Sequence, residues 1–487
     1  MNPSLYQINT RVLLSSFGRS ATLDDIPDHL LDQIASKGFD WVWLLGVWSV
    51  GPTGRFISRT NPDWRREYAQ VLPDLTDADI CGSPFAVQSY TVDPSLGGDE
   101  ALARIRKRLQ ARHLKLVLDF VPNHVGQDHP WIESHPEFFI EGTQSDRIKD
   151  PARWIGVKTG RVMALGRDPN FPGWPDTLQL NYFNADLRDA MVAELHSIAD
   201  RCDGVRCDMA MLLEPEIFQR TWGETRGCEG LTLPLFWPDA IRATRERHPN
   251  FLFLAEVYWG YEWKLQQHGF DYAYDKTLYD RLLHLHAPDI HQHLIAPLPY
   301  QSHLARFLEN HDEARIASRL PFATHKAAAI LTYLAPGLRF FYDGQLEGRK
   351  VRVPVHLARG PIERPNPEIV DLYKALLPIV NSLPCRVGSW HLLDPRPAWE
   401  GNPTNENYIV YLIEHPLDHI LVIVNYASYR GQALIRLPER GWLEGSVELR
   451  DKLNRERFRH SSLDLTQRGL FVDLPEWGTH IFSLECL

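Results

Sequence analysis

The chain has 487 residues, 44% of them hydrophobic and 23% charged, the make-up of a globular protein with room for a large domain and a smaller one. A net charge of -10 and a pI near 6.1 set its field against nucleic acid and anionic membrane, so neither is expected as a partner. The N-terminus has no basic segment followed by an apolar run, no stretch reaches the ~18 apolar residues of a membrane span, and the six cysteines are scattered without a Cys-x-x-Cys pair. These features predict a cytoplasmic protein with reduced, structural thiols.

Taken in order, residues 6–9 read as a first strand. Thr22 and Asp25 then form a capping-box pair opening a helix that carries Ile26, Leu30, Leu31 and Ile34, and Gly38 ends it. Trp41-Val42-Trp43-Leu44-Leu45 is an unbroken apolar run of strand length. Strand, helix and strand without alternation imply a parallel sheet covered on both faces. Residues 51–98 are polar and rich in Pro and Gly, which predicts loops.

A helix over 100–113 leads to a buried strand over 114–120, which closes on Asp119-Phe120-Val121-Pro122-Asn123-His124. Residues 122–180 lack periodicity and read as an excursion between the third strand and its helix. A helix over 187–201 precedes Gly204-Val205-Arg206-Cys207-Asp208, the fourth strand. Side chains two apart share a strand face, so Arg206 and Asp208 point the same way. In a poorly solvated barrel interior the guanidinium would keep that carboxylate ionised and ready as a nucleophile.

The fifth strand, 251–255, ends on Glu256. The sixth lies near 270–274, the seventh over 305–308 ahead of Glu309-Asn310-His311-Asp312, and the eighth over 338–342 ahead of Asp343. Eight strands with intervening helices, four of them carrying Asp, Glu or His at the C-terminal end, fit an α/β fold of the (β/α)8 TIM-barrel type. After a helix over 366–383, short strands near 408–412, 420–424, 432–437, 446–449 and 469–474 predict a C-terminal antiparallel β-domain. The expected organisation is a barrel over 1–121 and 181–383, an inserted loop-rich subdomain over 122–180, and a β-sandwich over 384–487.

Asp119-x-x-x-Asn123-His124, Gly204-x-Arg206-x-Asp208, Glu256 at a strand end and Asn310-His311-Asp312 stand in the order and rough spacing of four signature segments. In this the chain resembles the α-amylase family of glycoside hydrolases. The likeness continues through Gly82-Ser83-Pro84-Phe85-Ala86-Val87-Gln88-Ser89-Tyr90 and Asp93-Pro94-Ser95-Leu96-Gly97, the third-strand excursion and the C-terminal domain.

The resemblance implies a retaining glycosidase with two carboxyls roughly 5 Å apart across the anomeric carbon. Asp208 matches the nucleophile and Arg206 the arginine beside it. Glu256 matches the acid/base, with Ala255, Val257, Tyr258 and Trp259 as an apolar setting. Asp312 matches the third carboxylate, His124 and His311 the histidines that hold sugar hydroxyls, and Phe85 and Tyr90 belong to a substrate-contacting segment, with Phe85 where a stacking tyrosine is common. Asp119 is expected as a buried partner of the arginine. No cofactor is required; calcium is the one ion the resemblance allows, at Asn123.

The chain departs from the pattern where members acting on long α-1,4-glucans carry Lys-His after the nucleophile; here Met211 and Leu212 stand there. Trp48, Trp64, Trp131, Trp154, Trp222, Trp237 and Trp259 fall in or near strand-to-helix loops, where aromatic faces stack on sugars, although burial is the commoner fate of a tryptophan. The expected substrate is an oligosaccharide or α-glucan. A transglycosylase of the same fold is the alternative, and a catalytically silent carbohydrate-binding barrel is disfavoured because all three carboxylates are present.

Overall fold

The computed structural model describes all residues 1–487. Eight parallel strands close a barrel: β1 (Ser4–Asn9), β2 (Trp41–Leu45), β3 (Lys115–Phe120), β4 (Gly204–Cys207), β5 (Leu252–Ala255), β6 (Tyr272–Tyr274), β7 (Leu304–Arg306) and β8 (Leu338–Tyr342), each hydrogen-bonded to its neighbours in chain order and β8 to β1. β1, β2, β4, β5, β7 and β8 are buried at every position. That is what strands covered on both faces demand, and it explains their apolar runs without alternation.

The predicted helices are present with shifted ends. The Thr22–Asp25 capping box forms, but it caps a short 3-10 turn, Leu23–Asp25, and the α-helix begins after Pro27, at Asp28–Ser36. Residues 51–98 are less irregular than predicted, for they hold two helices, Pro52–Thr60 and Pro62–Val71. Each starts with proline at its first position, where no backbone donor is needed, and Asn61 caps the second through its side chain. The same prolines that read as loop formers are helix starts.

The excursion after β3 leaves and returns at one point: His124–Gly126 pairs antiparallel with Thr177–Gln179, with Gln179 opposite His124. Between them lies a small antiparallel sheet of Glu141–Gly142, Val162–Ala164 and Trp154–Gly156.

The C-terminal region holds β9 (Ser389–Leu393), β10 (Arg396–Pro397), β11 (Tyr408–His415), β12 (Asp418–Asn425), β13 (Gly431–Ile435), β14 (Ser446–Asp451), β15 (Arg457–Ser461), β16 (Leu470–Leu474) and β17 (Thr479–Cys486). They form a six-stranded antiparallel sheet, β9-β11-β12-β17-β14-β15, and a three-stranded one, β10-β13-β16. Tyr408, Val410, Leu421, Ile423, Ala433, Ile435, Val472 and Phe482 of both sheets share one core. β17 lies inside the large sheet yet escapes a reading by apolar runs, because Thr479, His480 and Ser483 interrupt it.

The chain forms two compact units, one of Tyr6–Tyr274 with Val351–Ile362, the other of Met1–Leu5, Asp275–Lys350 and Glu363–Leu487. By compactness, β7, β8 and their helices therefore group with the C-terminal strands, unlike a division at residue 383. Hydrogen bonds inside that unit give the reason: Tyr411 donates to the Leu331 carbonyl at 3.2 Å, Tyr426 to that of Leu282 at 2.9 Å, and Arg339 to that of Cys385. No helix is long and apolar enough to cross a membrane.

Candidate active site

In the first unit the site grows from the register of three neighbouring strands. Arg206 on β4 lies opposite Asp119 on β3 and Leu254 on β5. The ladder continues past the strand ends, Asp208 N donating to Phe120 O at 2.8 Å and Glu256 N to Cys207 O at 3.0 Å. Asp208 and Glu256 are thereby set side by side at the C-terminal ends of adjacent strands, where barrel enzymes carry their reacting groups.

Arg206 joins them. Its Nη1 lies 2.7 Å from Asp208 Oδ1 and its Nη2 2.6 Å from Glu256 Oε2, and all three residues are buried. Aromatic faces collar the guanidinium, with its carbon 5.1 Å from the Phe85 ring centre, 5.4 Å from that of Trp43 and 6.0 Å from that of Tyr274. Burial opposes the charge on Arg206, but Glu256, Tyr274, Asp208 and Asp119 outweigh it and push its pKa well above the ordinary value.

Two further donors reach Glu256: Met209 N at 2.7 Å and the Tyr258 hydroxyl at 2.9 Å. The apolar setting expected from its chain neighbours is thus only partly the environment of the carboxyl, which faces a cation, an amide and a phenol. Met209 reaches it through a left-handed backbone, φ 43°, an uncommon conformation for a non-glycine residue and one that marks a constrained site.

Asp119 departs from the expected ion pair. Its oxygens accept from Trp43 Nε1 at 3.0 Å and from Gly46 N at 2.8 Å, both neutral donors, and Arg206 acts on it only through its field. Burial dominates and pushes the carboxyl up to about 7. Gly46 can present its N–H because it sits at φ 79° against Pro84.

His124 is buried, and burial holds its imidazole down at about 3, against a small opposing pull from Glu256. Its Nδ1 lies 3.4 Å from the Asn123 side-chain amide, an arrangement in which Nδ1 accepts and Nε2 carries the proton. Its ring packs 4.8 Å from that of Trp174, and Gly166 leaves room beside it, where a Cβ would come within 2.7 Å of the His124 Cβ.

Calcium takes six to eight oxygen ligands, and the residues at Asn123 do not fit it. Gln179 Nε2 donates to Asn123 Oδ1 at 3.0 Å, and Asn123 Nδ2 donates to Gln179 Oε1 at 3.3 Å, so an amide pair uses the oxygen an ion would need.

Tyr90 corrects the reading that made it a substrate contact. Its hydroxyl donates to Val121 O and accepts from Val121 N, both at 3.0 Å, and the side chain is buried, so it braces the end of β3. Phe85 is half-buried with its ring on Arg206. Met211 and Leu212 are both buried. Of the seven tryptophans singled out, Trp48, Trp154, Trp222 and Trp237 are buried, whereas Trp259 is exposed at φ 63° just past Tyr258.

In the second unit Asn310 Oδ1 accepts from the backbone of Asp312 and Glu313, both at 2.9 Å, an Asx turn that fixes the segment. Buried His311 holds Nε2 3.0 Å from the carboxylate of exposed Asp312. Glu309 is locked by Arg315 and Ile316 N, both at 2.7 Å.

Sequence reasoning missed Trp43, Met209, Tyr258 and Tyr274. Only Tyr258, two residues after Glu256, carried a readable signal, since a phenol at that spacing can reach the carboxylate.

The family model described as "Alpha amylase, catalytic domain" matches residues 85–353. Among curated relatives, the alpha-amylase MalA of Haloarcula japonica is 23% identical over 356 residues, 72% of this chain and 44% of that protein. The alpha-1,4-glucan:maltose-1-phosphate maltosyltransferase of Burkholderia pseudomallei is 27% identical over 281 residues, 56% of this chain and 20% of its own length. The chain thus spans less than half the length of these relatives. Among solved structures, the maltogenic alpha-amylase AmyB of Thermotoga neapolitana superposes over 100% of this chain and 99% of its own with a TM-score of 0.70 at 19% identity, a likeness of fold.

Proposed function

We infer, from a chain that belongs to the alpha-amylase family of glycoside hydrolases, that the protein cleaves α-glucosidic bonds in α-glucans or maltooligosaccharides with net retention. The observation that carries this reading is the single guanidinium of Arg206 holding both Asp208 and Glu256, an arrangement compatible with the roughly 5 Å carboxyl separation of a retaining pair. Asp208 attacks the anomeric carbon while the bond to the leaving oxygen breaks and Glu256 gives that oxygen its proton. Glu256 then takes a proton from water, which displaces Asp208 from the sugar. His124, kept neutral by burial, and His311 hold sugar hydroxyls, and Asp312 steadies the distorted ring. Phe85 lends an aromatic face.

Transfer of the glycosyl group to a second sugar is the alternative, favoured by the maltosyltransferase name that relatives carry. Neither reaction needs a metal at the bond that breaks, so activity should survive dialysis against a chelator; complete loss restored by a transition metal would reject the scheme. The scattered cysteines and the net charge of -10 support a cytoplasmic enzyme.

Two variants test the roles. Glu256→Gln loses the proton donor, at a cost of about 10²- to 10⁴-fold on ordinary glucosides, yet should still form a glycosyl-enzyme from a glycosyl fluoride. Asp208→Asn should turn over neither. Mass spectrometry locating the adduct on Glu256, or near-normal turnover by Asp208→Asn, would overturn the assignment.

A further inference from the structure

Outside the carboxylate site, a cavity of about 330 Å³ is lined by Arg153, Arg167, Pro169, Asn170, Arg220 and Thr221. Three arginines converging in a protein of net charge -10 call for an account. Elsewhere arginines meet carboxylates, as Arg55 meets Asp93 at 2.8 Å and Arg106 meets Asp203 at 2.7 Å. None of these three has one: Arg153 donates to Thr221 O at 3.1 Å and Thr225 Oγ1 at 3.0 Å, Arg167 to Asp168 O at 2.9 Å and Pro169 O at 3.5 Å, all neutral acceptors. Arg220, on the last turn of helix Pro215–Trp222, is exposed.

Arg153 is also fixed in place. Its guanidinium carbon lies 5.3 Å from the Trp154 ring and 4.8 Å from the Trp222 ring, and its buried Nε has no acceptor. Burial first, then the charge of Arg167, pulls its pKa down, and Asp150 and Asp146 oppose this only at a distance. Like charges gathered and partly desolvated with only distant counter-charges are unfavourable unless an anion completes them.

We propose that Arg153, Arg167 and Arg220 form a recognition pocket for a phosphomonoester, and that the saccharide acted on carries it. The first part rests on chemistry: planar guanidinium forks match phosphate oxygens, and a dianion answers several cations at once. The second rests on the glycosidase reading and on connectivity. Leu165 N donates to Arg153 O at 2.8 Å, Gly166 lies against His124, and Arg167 is the next residue, so the pocket begins one residue from the chain packed on a proposed sugar-binding histidine. Helix Pro215–Trp222, which carries Arg220, follows the segment after Asp208.

Calorimetric titration of the full chain with glucose 6-phosphate, inorganic phosphate and glucose tests this, beside kcat/KM for maltose 6′-phosphate and maltose. Glucose 6-phosphate should bind at least about tenfold tighter than either of the others, and Arg167→Gln or Arg220→Gln should each weaken it about tenfold, the loss of one charge-assisted contact. The preference for phosphorylated over plain maltose should fall by a similar factor. Because Arg153→Gln also removes the contacts to Thr221 and Thr225, the exposed Arg220→Gln is the decisive variant. Unchanged affinity in Arg167→Gln and Arg220→Gln overturns the pocket, and glucose 6-phosphate binding no tighter than inorganic phosphate overturns the sugar-borne source. A protein that binds glucose 6-phosphate through these arginines but cleaves no α-glucoside contradicts the glycosidase reading alone.

Discussion

Arg206 on β4 and Arg306 on β7 are both fully buried on barrel strands, and each meets an aspartate. Around Arg306 every nitrogen has an acceptor of its own: Nε the Pro336 carbonyl at 3.0 Å, Nη1 Asp275 and Nη2 Gln301. Asp275 in turn accepts from His293 and from Leu278 N, each at 3.0 Å. Burial pushes Asp275 up, but His293 and Arg306 outweigh it and hold the carboxyl down at about 2. Around Arg206 one guanidinium serves two carboxylates at strand ends, and its Nε has no acceptor. A closed network fixes architecture; two carboxylates gathered on one cation, at the end where barrels bind ligands, can do chemistry.

Neutralising each arginine should separate the two roles. Arg206→Met should lower kcat by on the order of 10³-fold, since the nucleophile loses its counter-charge. Arg306→Met should instead leave buried Asp275 with only His293 and Leu278 N as partners, reducing unfolding free energy by about 3 kcal/mol while turnover per folded molecule stays within a few fold. Denaturant melts and active-site-titrated kinetics on both variants check this, and equal losses of activity would erase the distinction.

The same contrast should appear in acid and base. Asp275, depressed to about 2, contributes stability that is present above the ordinary carboxylate pKa of about 4 and is lost as pH falls toward 2, about 2 kcal/mol in all. Asp119, raised to about 7, has the opposite sign: its contribution is full below pH about 4 and is lost as pH rises through 7. Relative to wild type, Asp119→Asn should therefore gain stability between pH 5 and 8, and Asp275→Asn should lose less than wild type on acidification from pH 4 to 2. Urea midpoints across that range decide it; parallel slopes would show that burial and pairing do not divide the two aspartates.

Gly166→Ala should have the smallest effect. Its Cβ would meet Thr177 Oγ1 at 2.6 Å and the His124 Cβ at 2.7 Å, so overpacking should cost about 1 kcal/mol of stability and raise KM more than it lowers kcat if His124 holds substrate.

What the sequence disclosed follows from how each feature is encoded. The barrel strands were legible because burial on both faces writes itself as apolar runs, and Arg206 and Asp208 because a strand's period of two is rigid. Met209 was not legible: its contribution is a backbone N–H aimed by a left-handed turn, which any side chain would leave unmarked. Tyr90 was misread because a phenol beside a sugar site and a phenol bracing Val121 look alike in one dimension. The arginine pocket draws on Arg153, Arg167 and Arg220, remote in sequence and brought together only by the excursion and a following helix.

The grouping of β7 and β8 with the C-terminal strands bears on how the chain could be cut or recombined. Removing residues 384–487 would take Tyr411 and Tyr426 from the Leu331 and Leu282 carbonyls and bare the apolar outer face of helix Phe322–Tyr333, buried from Ala327 to Tyr333. The sandwich is therefore not a detachable module, and the last quarter of the barrel depends on it for solubility. Chimeras that exchange it between homologues should travel with residues 275–350 as one piece; a junction at 383 should yield aggregates.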